Sequence, residues 1–231
     1  MQVLIALDDS RSMAESHSVH LAYETLALVS RALSRLEVGD IGIAKFGATV
    51  EVVHALDASG PFSDRAGAQV LSAFSFAQRA TDVLALVRRS LDLLGQARER
   101  RAASSSSSAG ELWQLMLILS DGICQDHERL RTVLRKAEEQ RVMIVFVVLD
   151  SLHGTSDGGA ATAATAGAAQ NSILSMTQVK YANTGGQMEM QLERYMDSFP
   201  FEYYVVLRNV EALPDVLSGT LKQFFERISE E

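Results

Sequence analysis

Three short segments of this 231-residue sequence carry oxygen donors in a pattern suited to a hard cation. In Asp8-Asp9-Ser10-Arg11-Ser12, a carboxylate is followed by hydroxyls two and four residues later. Ser120-Asp121-Gly122 supplies a second carboxylate, and Ala80-Thr81-Asp82 a third hydroxyl. Magnesium takes about six oxygen ligands in a near-octahedral array, and a tight D-x-S-x-S turn can wrap several of them around one ion. Each segment also has a plainer structural reading. Ser12-Met13-Ala14-Glu15 matches a capping box, Thr81, Asp82 and Asp126 are ordinary helix N-cap types, and Asp121-Gly122 reads as a turn. What favours a shared site is that all three lie at strand-to-helix junctions on one expected edge of a sheet. A metal set of Asp8, Ser10, Ser12, Thr81 and Asp121 follows.

Other chemistries fit less well. Counted from Asp8, an EF-hand loop would need Gly and Glu where Met13 and Val19 stand. Neither a G-x-x-x-x-G-K-[ST] phosphate loop nor a G-x-S-x-G nucleophile elbow occurs. His17, His20, His54, His127 and His153 lack zinc spacing and read as surface or rim residues. Cys124 has no accompanying histidine motif and reads as a small buried residue. Trp113 reads as core, and Arg129, Arg131, Arg135 and Lys136 as a solvated face balanced by Glu128, Glu138 and Glu139.

The elements that must hold these residues are legible as apolar runs at 3–7, 41–46, 49–56, 112–119, 142–149 and 203–207. Most are continuous, as in strands buried on both faces of a parallel sheet. Only Gly47 and Ala48 separate the second run from the third, which permits a hairpin and excludes a parallel crossover. Between the runs, apolar residues recur at helical spacing: Val19, Ala22, Leu26, Val29, Leu33 and Leu36, then Val83, Val87, Leu91 and Leu94. Leu130, Val133, Leu134 and Ala137 repeat the pattern, as do Leu213, Leu217, Leu221, Phe224 and Ile228. The expected fold is α/β: a doubly wound, Rossmann-like, mostly parallel six-stranded sheet with one antiparallel edge strand and helices on both faces. One domain is expected over 1–231, with a Ser-rich loop at 98–111 and an insert at 151–200. Within that insert, 154–171 is Gly/Ala/Thr-rich and expected to be disordered. Residues 177–195 alternate around Asn183-Thr184-Gly185-Gly186-Gln187 and predict a β-hairpin.

Composition bounds the partners. With 21 Lys+Arg against 29 Asp+Glu, the net charge is −8 and the pI about 5.2. That balance disfavours nucleic acid and anionic membranes as direct targets. An apolar fraction of 47% argues against general disorder. A lone cysteine excludes a disulfide framework and fits a reducing compartment. No membrane-length apolar run and no signal-like start is present, so a soluble intracellular protein is expected.

The residues Asp8-x-Ser10-x-Ser12, Thr81 and Asp121, with the strand and helix order, resemble the metal-ion-dependent adhesion site of von Willebrand factor A domains. Leu7–Met13, Leu119–Gly122 and Tyr195-Met196-Asp197-Ser198-Phe199-Pro200-Phe201-Glu202-Tyr203-Tyr204 further resemble the form of that domain carried at the C-terminus of a giant AAA-type ATPase of large ribosomal subunit maturation. The likeness spans residues 2–228 but not the loops at 102–110 and 153–171. It implies Mg²⁺, replaceable by Mn²⁺ or Ca²⁺, bound directly by Ser10, Ser12 and Thr81 and mainly through water by Asp8 and Asp121. It implies a binding module without turnover of its own, ATP serving only a motor portion elsewhere in a longer chain. The implied partner is the ubiquitin-like domain of a ribosome assembly factor, docking an acidic residue on the metal, with the motor's own AAA ring a further partner. The implied location is the nucleus, in nucleolus or nucleoplasm. Arg11, Asp82, Val179, Tyr181, Met188 and Met190 are the expected partner-facing residues. The competing readings are a chelatase-type branch of the same family and a Mg²⁺-dependent receiver or phosphotransfer domain. The latter lacks its lysine after the fifth strand, where Asp150-Ser151 stand.

Overall fold

In the computed structural model, which describes residues 1–37, 39–56, 62–104, 113–151, 172–184 and 187–229, strand β1 (Gln2–Asp8) is buried along its whole length. Its side chains alternate between two cores, as the twofold period of a strand requires. Val3, Ile5 and Leu7 enter one, and Leu4 and Ala6 the other. A strand apolar on both faces must be central. β1 pairs in parallel with β2 (Asp40–Phe46) on one side and with β4 (Gln114–Ser120) on the other. β3 (Val50–His54) runs antiparallel beyond β2, while β5 (Val142–Leu149) and β8 (Tyr203–Leu207) extend the far side in parallel. The order is β3-β2-β1-β4-β5-β8. β3 is the antiparallel edge strand expected from the short link at Gly47-Ala48.

Helices cover both faces. α1 (Arg11–Glu15), α2 (Val19–Arg35), α3 (Asp64–Ser72) and α6 (Leu213–Ser229) send Met13, Leu26, Val70 and Leu213 into the first core. α4 (Val83–Ser104) and α5 (His127–Glu139) supply the second. α4 buries Val83, Leu86, Val87, Leu91, Leu94 and Ala97 on one stripe. At roughly 1.5–3 kcal/mol per fully buried Val or Leu side chain, that stripe holds the helix against the sheet. After β1 the chain moves to β2, and after β3 it crosses to β4 on the opposite side of β1. The crevice above β1 and β4 is therefore the topological switch point, where doubly wound sheets bind ligands.

The structure departs from the sequence pattern in three places. Residues 98–104 are not loop but the last turns of α4. Arg, Glu and Ala are strong helix formers, and two side chains tie this end to the sheet. Arg98 Nη2 donates to Gln114 Oε1 at 2.5 Å, and Arg101 lies 3.5 Å from Asp40. The remainder of the expected loop, 105–111, falls outside the described residues. Asp126 precedes α5 in a left-handed conformation, φ 55°, and its side chain caps nothing. Ser12 lies inside α1, so no Ser12–Glu15 capping box forms; Ser10 takes the N-cap position, yet its hydroxyl makes no capping bond.

Beyond β5 the chain leaves at Ser151, whose hydroxyl donates to Ser16 O, and returns at Ser172, whose hydroxyl donates to Asp150 Oδ2 at 2.7 Å. The segment expected to be disordered, 154–171, lies outside the described residues. β6 (Thr177–Thr184) and β7 (Gln187–Arg194) then pair as a two-stranded antiparallel ribbon apart from the main sheet. Among the described residues, no helix is long and apolar enough to cross a membrane.

Candidate metal centre

Asp8 ends β1 and Ser120 ends β4, side by side because the parallel register pairs Leu7 with Leu119. The Ser120 hydroxyl donates to Asp8 Oδ2 at 2.6 Å, and the Ser10 backbone N–H donates to Asp8 Oδ1 at 2.9 Å. Asp8 is fully buried. Burial pushes its carboxyl up to about 6, the Ser10 and Ser120 hydrogen bonds pulling the other way and the nearby Asp121 charge adding to the rise. An acid so placed gains from a cation beside it.

Two hydroxyls follow in the next turn of chain. Ser10 Oγ and Ser12 Oγ lie 3.0 Å apart. Two ligands in cis positions on Mg²⁺, each about 2.0–2.1 Å from the ion, are separated by about 2.9–3.0 Å. The two hydroxyls share a hydrogen bond at this separation, which is compatible with an octahedral edge. Asp121 follows Ser120 directly, and its Oδ1 accepts from Ile123 N at 3.3 Å. Thr81 sits where α4 begins. Asp82 is the residue that caps this helix, accepting from Ala85 N at 2.8 Å, and Asp82 N donates to Gly47 O at 2.9 Å. Thr81 is therefore spared the capping task, and among the described residues its hydroxyl makes no hydrogen bond.

Two further residues set this geometry and went unassigned from the sequence. Asp9 alternates to the face opposite Asp8 and is buried. Its Oδ1 accepts from Ser75 N at 2.7 Å and Phe76 N at 2.5 Å, and Lys45 Nζ stands 3.9 Å from Oδ2. The same stretch is clipped to the first loop, Gln78 N donating to Asp9 O and Arg11 N to Gln78 O at 2.7 Å. Asp9 thereby brings the segment leading to Thr81 up against Ser10. The signal available was the doubled acid itself, since a strand's alternation sends neighbours to opposite faces. Ser120 was visible as a residue, but its bond to Asp8 spans 112 positions and has no local mark.

The donor set is chemically coherent. Among the described residues, no group of three or more His, Cys, Asp or Glu could hold an ion. A site of hydroxyls with two carboxylates is instead suited to hard, oxygen-seeking Mg²⁺, Mn²⁺ or Ca²⁺. Asp8, Ser10, Ser12, Thr81 and Asp121 are the residues that could hold it. Of the residues expected to face a partner, Arg11 is exposed and ion-paired with Glu15 at 2.8 Å, while Asp82 is engaged at the helix start. Val179 and Met190 are exposed on the ribbon. Tyr181 is paired in register with Met190, and Met188 with Asn183, their side chains lying outside the described set.

Strand order and helix layers are those of the von Willebrand factor A fold, with the Asp8–Ser12 loop at the end of β1 and Ser120-Asp121 at the end of β4. In sequence the chain is midasin-like. It is 36% identical to midasin of Dictyostelium discoideum over 226 residues, 97% of this chain and 3% of that protein. It is 28% identical to midasin of Giardia intestinalis over 229 residues, 99% of this chain and 4% of that one. The chain thus spans only a few per cent of the length of the curated relatives it matches. Among solved structures, a von Willebrand factor type A domain from Catenulispora acidiphila aligns with 63% of this chain and 32% of that one, at 13% identity and a TM-score of 0.46. No family model matches the sequence.

Proposed function

We propose that the domain is a Mg²⁺-dependent protein-binding module that captures an acidic side chain of a partner and performs no catalysis itself. The observation that carries this reading is the Ser10–Ser12 hydroxyl pair, 3.0 Å apart beside buried Asp8. When bound, the ion would supply an open coordination position for an external carboxylate. Neutral hydroxyl ligands leave most of its charge uncompensated, so that position prefers an anion. An acidic domain can in this way take an acidic ligand, because the cation reverses the local sign.

The midasin likeness supports a more specific version. The partner is then the ubiquitin-like domain of a ribosome assembly factor, held by a Glu or Asp on the metal. The domain would be the hook through which a midasin-type AAA ATPase releases that factor from large-subunit precursors in the nucleus. The test is binding of such an acidic-tipped domain with Mg²⁺ and with EDTA. Binding that needs Mg²⁺ and disappears in Ser12→Ala supports the reading, and affinity unchanged by chelation refutes it.

A further inference from the structure

Asp121 stands on a turn that the main sheet does not hold. After β4 ends at Ser120, the chain runs without regular structure to Asp126. Among the described residues, no backbone-to-backbone hydrogen bond anchors 121–125. Side chains do this instead, and the central one is Tyr195. Its buried hydroxyl accepts from Cys124 N at 2.6 Å and lies 3.0 Å from Gly122 O and 3.3 Å from Cys124 O, to which its proton can be donated. His127 Nε2, 3.2 Å from Cys124 O and 3.4 Å from the same phenol oxygen, closes the cluster.

Tyr195 is also the residue at which the β6–β7 ribbon meets the body. Its N–H donates to Met176 O, closing the ribbon's base. Ser198 Oγ donates to Tyr195 O, accepts from Gln178 Nε2 at 2.6 Å, and Ser198 O accepts from Arg131 Nη2 at 2.8 Å. On the facing side, Ile173 packs where a Cβ on Gly122 would stand. The root of the ribbon therefore grips the Gly122–Cys124 turn by two hydrogen bonds and a steric wall.

We propose that Tyr195 is a positioning residue of the metal centre: its hydroxyl fixes the Gly122–Cys124 turn, and through it the Asp121 carboxylate, so that the ribbon's root sets the cation affinity. The inference rests on the reading of Asp8, Ser10, Ser12, Thr81 and Asp121 as a cation site. It makes the coupling reciprocal, since whatever affinity the ribbon lends the cation, the cation lends back as order at the ribbon's root.

The experiment is Tyr195→Phe, which keeps the ring and removes only the hydroxyl. Mn²⁺ binding is followed by electron paramagnetic resonance, beside wild type and Ser12→Ala. Residues that orient metal ligands typically change affinity by about 10–100-fold, so a loss of about tenfold is expected in Tyr195→Phe, with folding in EDTA retained. Wild-type affinity in Tyr195→Phe, with Ser12→Ala impaired, overturns the inference and leaves the metal site standing. No Mn²⁺ binding by the wild-type protein overturns both. A second measurement needs no variant. Mg²⁺ should slow hydrogen exchange at the Cys124 and Tyr195 amides in the wild-type protein; exchange unaltered there, in a protein that binds the ion, refutes the coupling.

Discussion

Ser120 and Asp8, 112 residues apart in sequence, meet through a 2.6 Å hydrogen bond between the serine hydroxyl and the buried carboxylate. This bond ties the ends of the two central strands together at the start of the turn that carries the hydroxyl pair. It holds Asp8 in one orientation and offsets part of the burial that raises its proton affinity. Ser120→Ala should leave the fold intact, because the change removes one small atom from a strand end. Cation affinity should fall by about tenfold, the lower end of what losing an orienting partner costs. Isothermal titration with Mg²⁺ on both proteins checks this, and equal affinities would show that the bond does not orient the ligand.

The Asp8 carboxyl, at about 6 in the folded chain against 3.8 for the free side chain, gives the metal-free protein a pH dependence of definite sign. Between these values the folded state binds more protons than the unfolded one, so stability falls as pH rises. The contribution is fully present below about pH 4 and is lost as pH passes through 6. From a shift of about two units it amounts to roughly 3 kcal/mol. Denaturation in EDTA at pH 5 and pH 7 should expose a little under half of this loss, about 1.3 kcal/mol, in wild type and not in Asp8→Asn. Cation binding has the opposite slope, because the ion needs the carboxylate. Its affinity should drop about tenfold per unit below pH 6.

Asp9 should behave as a structural acid, unlike its neighbour. Its one oxygen takes the N–H groups of Ser75 and Phe76, and Lys45 stands beside the other. Asp9→Ala strands the two backbone donors, while Lys45 keeps Ala73 O at 2.9 Å and Glu51 at 3.3 Å, and should cost about 3 kcal/mol in urea denaturation. Asp9→Asn keeps an acceptor oxygen and should cost about half of that. Equal losses in the two variants would mean that packing, not hydrogen bonding, fixes the segment leading to Thr81.

The contrast between Asp8 and Asp9 marks where the sequence stops being informative. The strands were legible because sheet burial on both faces writes uninterrupted apolar runs, and the antiparallel edge because two residues cannot span a crossover. The candidate metal loop stood out because D-x-S-x-S is local. Residues 98–104 read as loop because a cluster of arginines resembles a polar loop, although Arg, Glu and Ala, which fill 98–103, are good helix formers. The roles of Asp9, Ser120 and Tyr195 depend on partners 66 to 112 positions away for the first two, and on a turn 71 positions away for the third. Spacing carries no trace of such contacts. Cys124 falls between these cases: its burial was anticipated, but not that Tyr195 would hold its backbone.

That burial makes the lone thiol a reporter. Desolvation pushes Cys124 up to about 12, with the Tyr195 hydroxyl opposing and the charges of Asp121 and Asp8 reinforcing the shift. Only the thiolate is nucleophilic, so the native protein should resist iodoacetamide at pH 8 and react once unfolded in urea. Rapid alkylation of the native protein would mean that the turn after β4 opens freely.

Gly122 is the position where backbone and packing demands coincide. Its φ of +90° is one that L side chains rarely adopt, and an added Cβ would stand 2.5 Å from Ile173 Cδ1 and 2.9 Å from Val148 Cγ1. Gly122→Ala should therefore lower stability by about 1–3 kcal/mol through overpacking, with backbone strain in addition. Ile173→Val removes the very carbon that the new methyl would strike, at a cost of about 1 kcal/mol in the parent protein. Combined with Gly122→Ala, it should cost less than the two changes summed, because it vacates the space that the first invades. The strain at φ and the contact with Val148 remain, so rescue should be partial. Thermal denaturation of the four proteins measures the coupling. Strict additivity would place the penalty in the backbone and the Val148 contact and remove Ile173 as the wall that holds the turn.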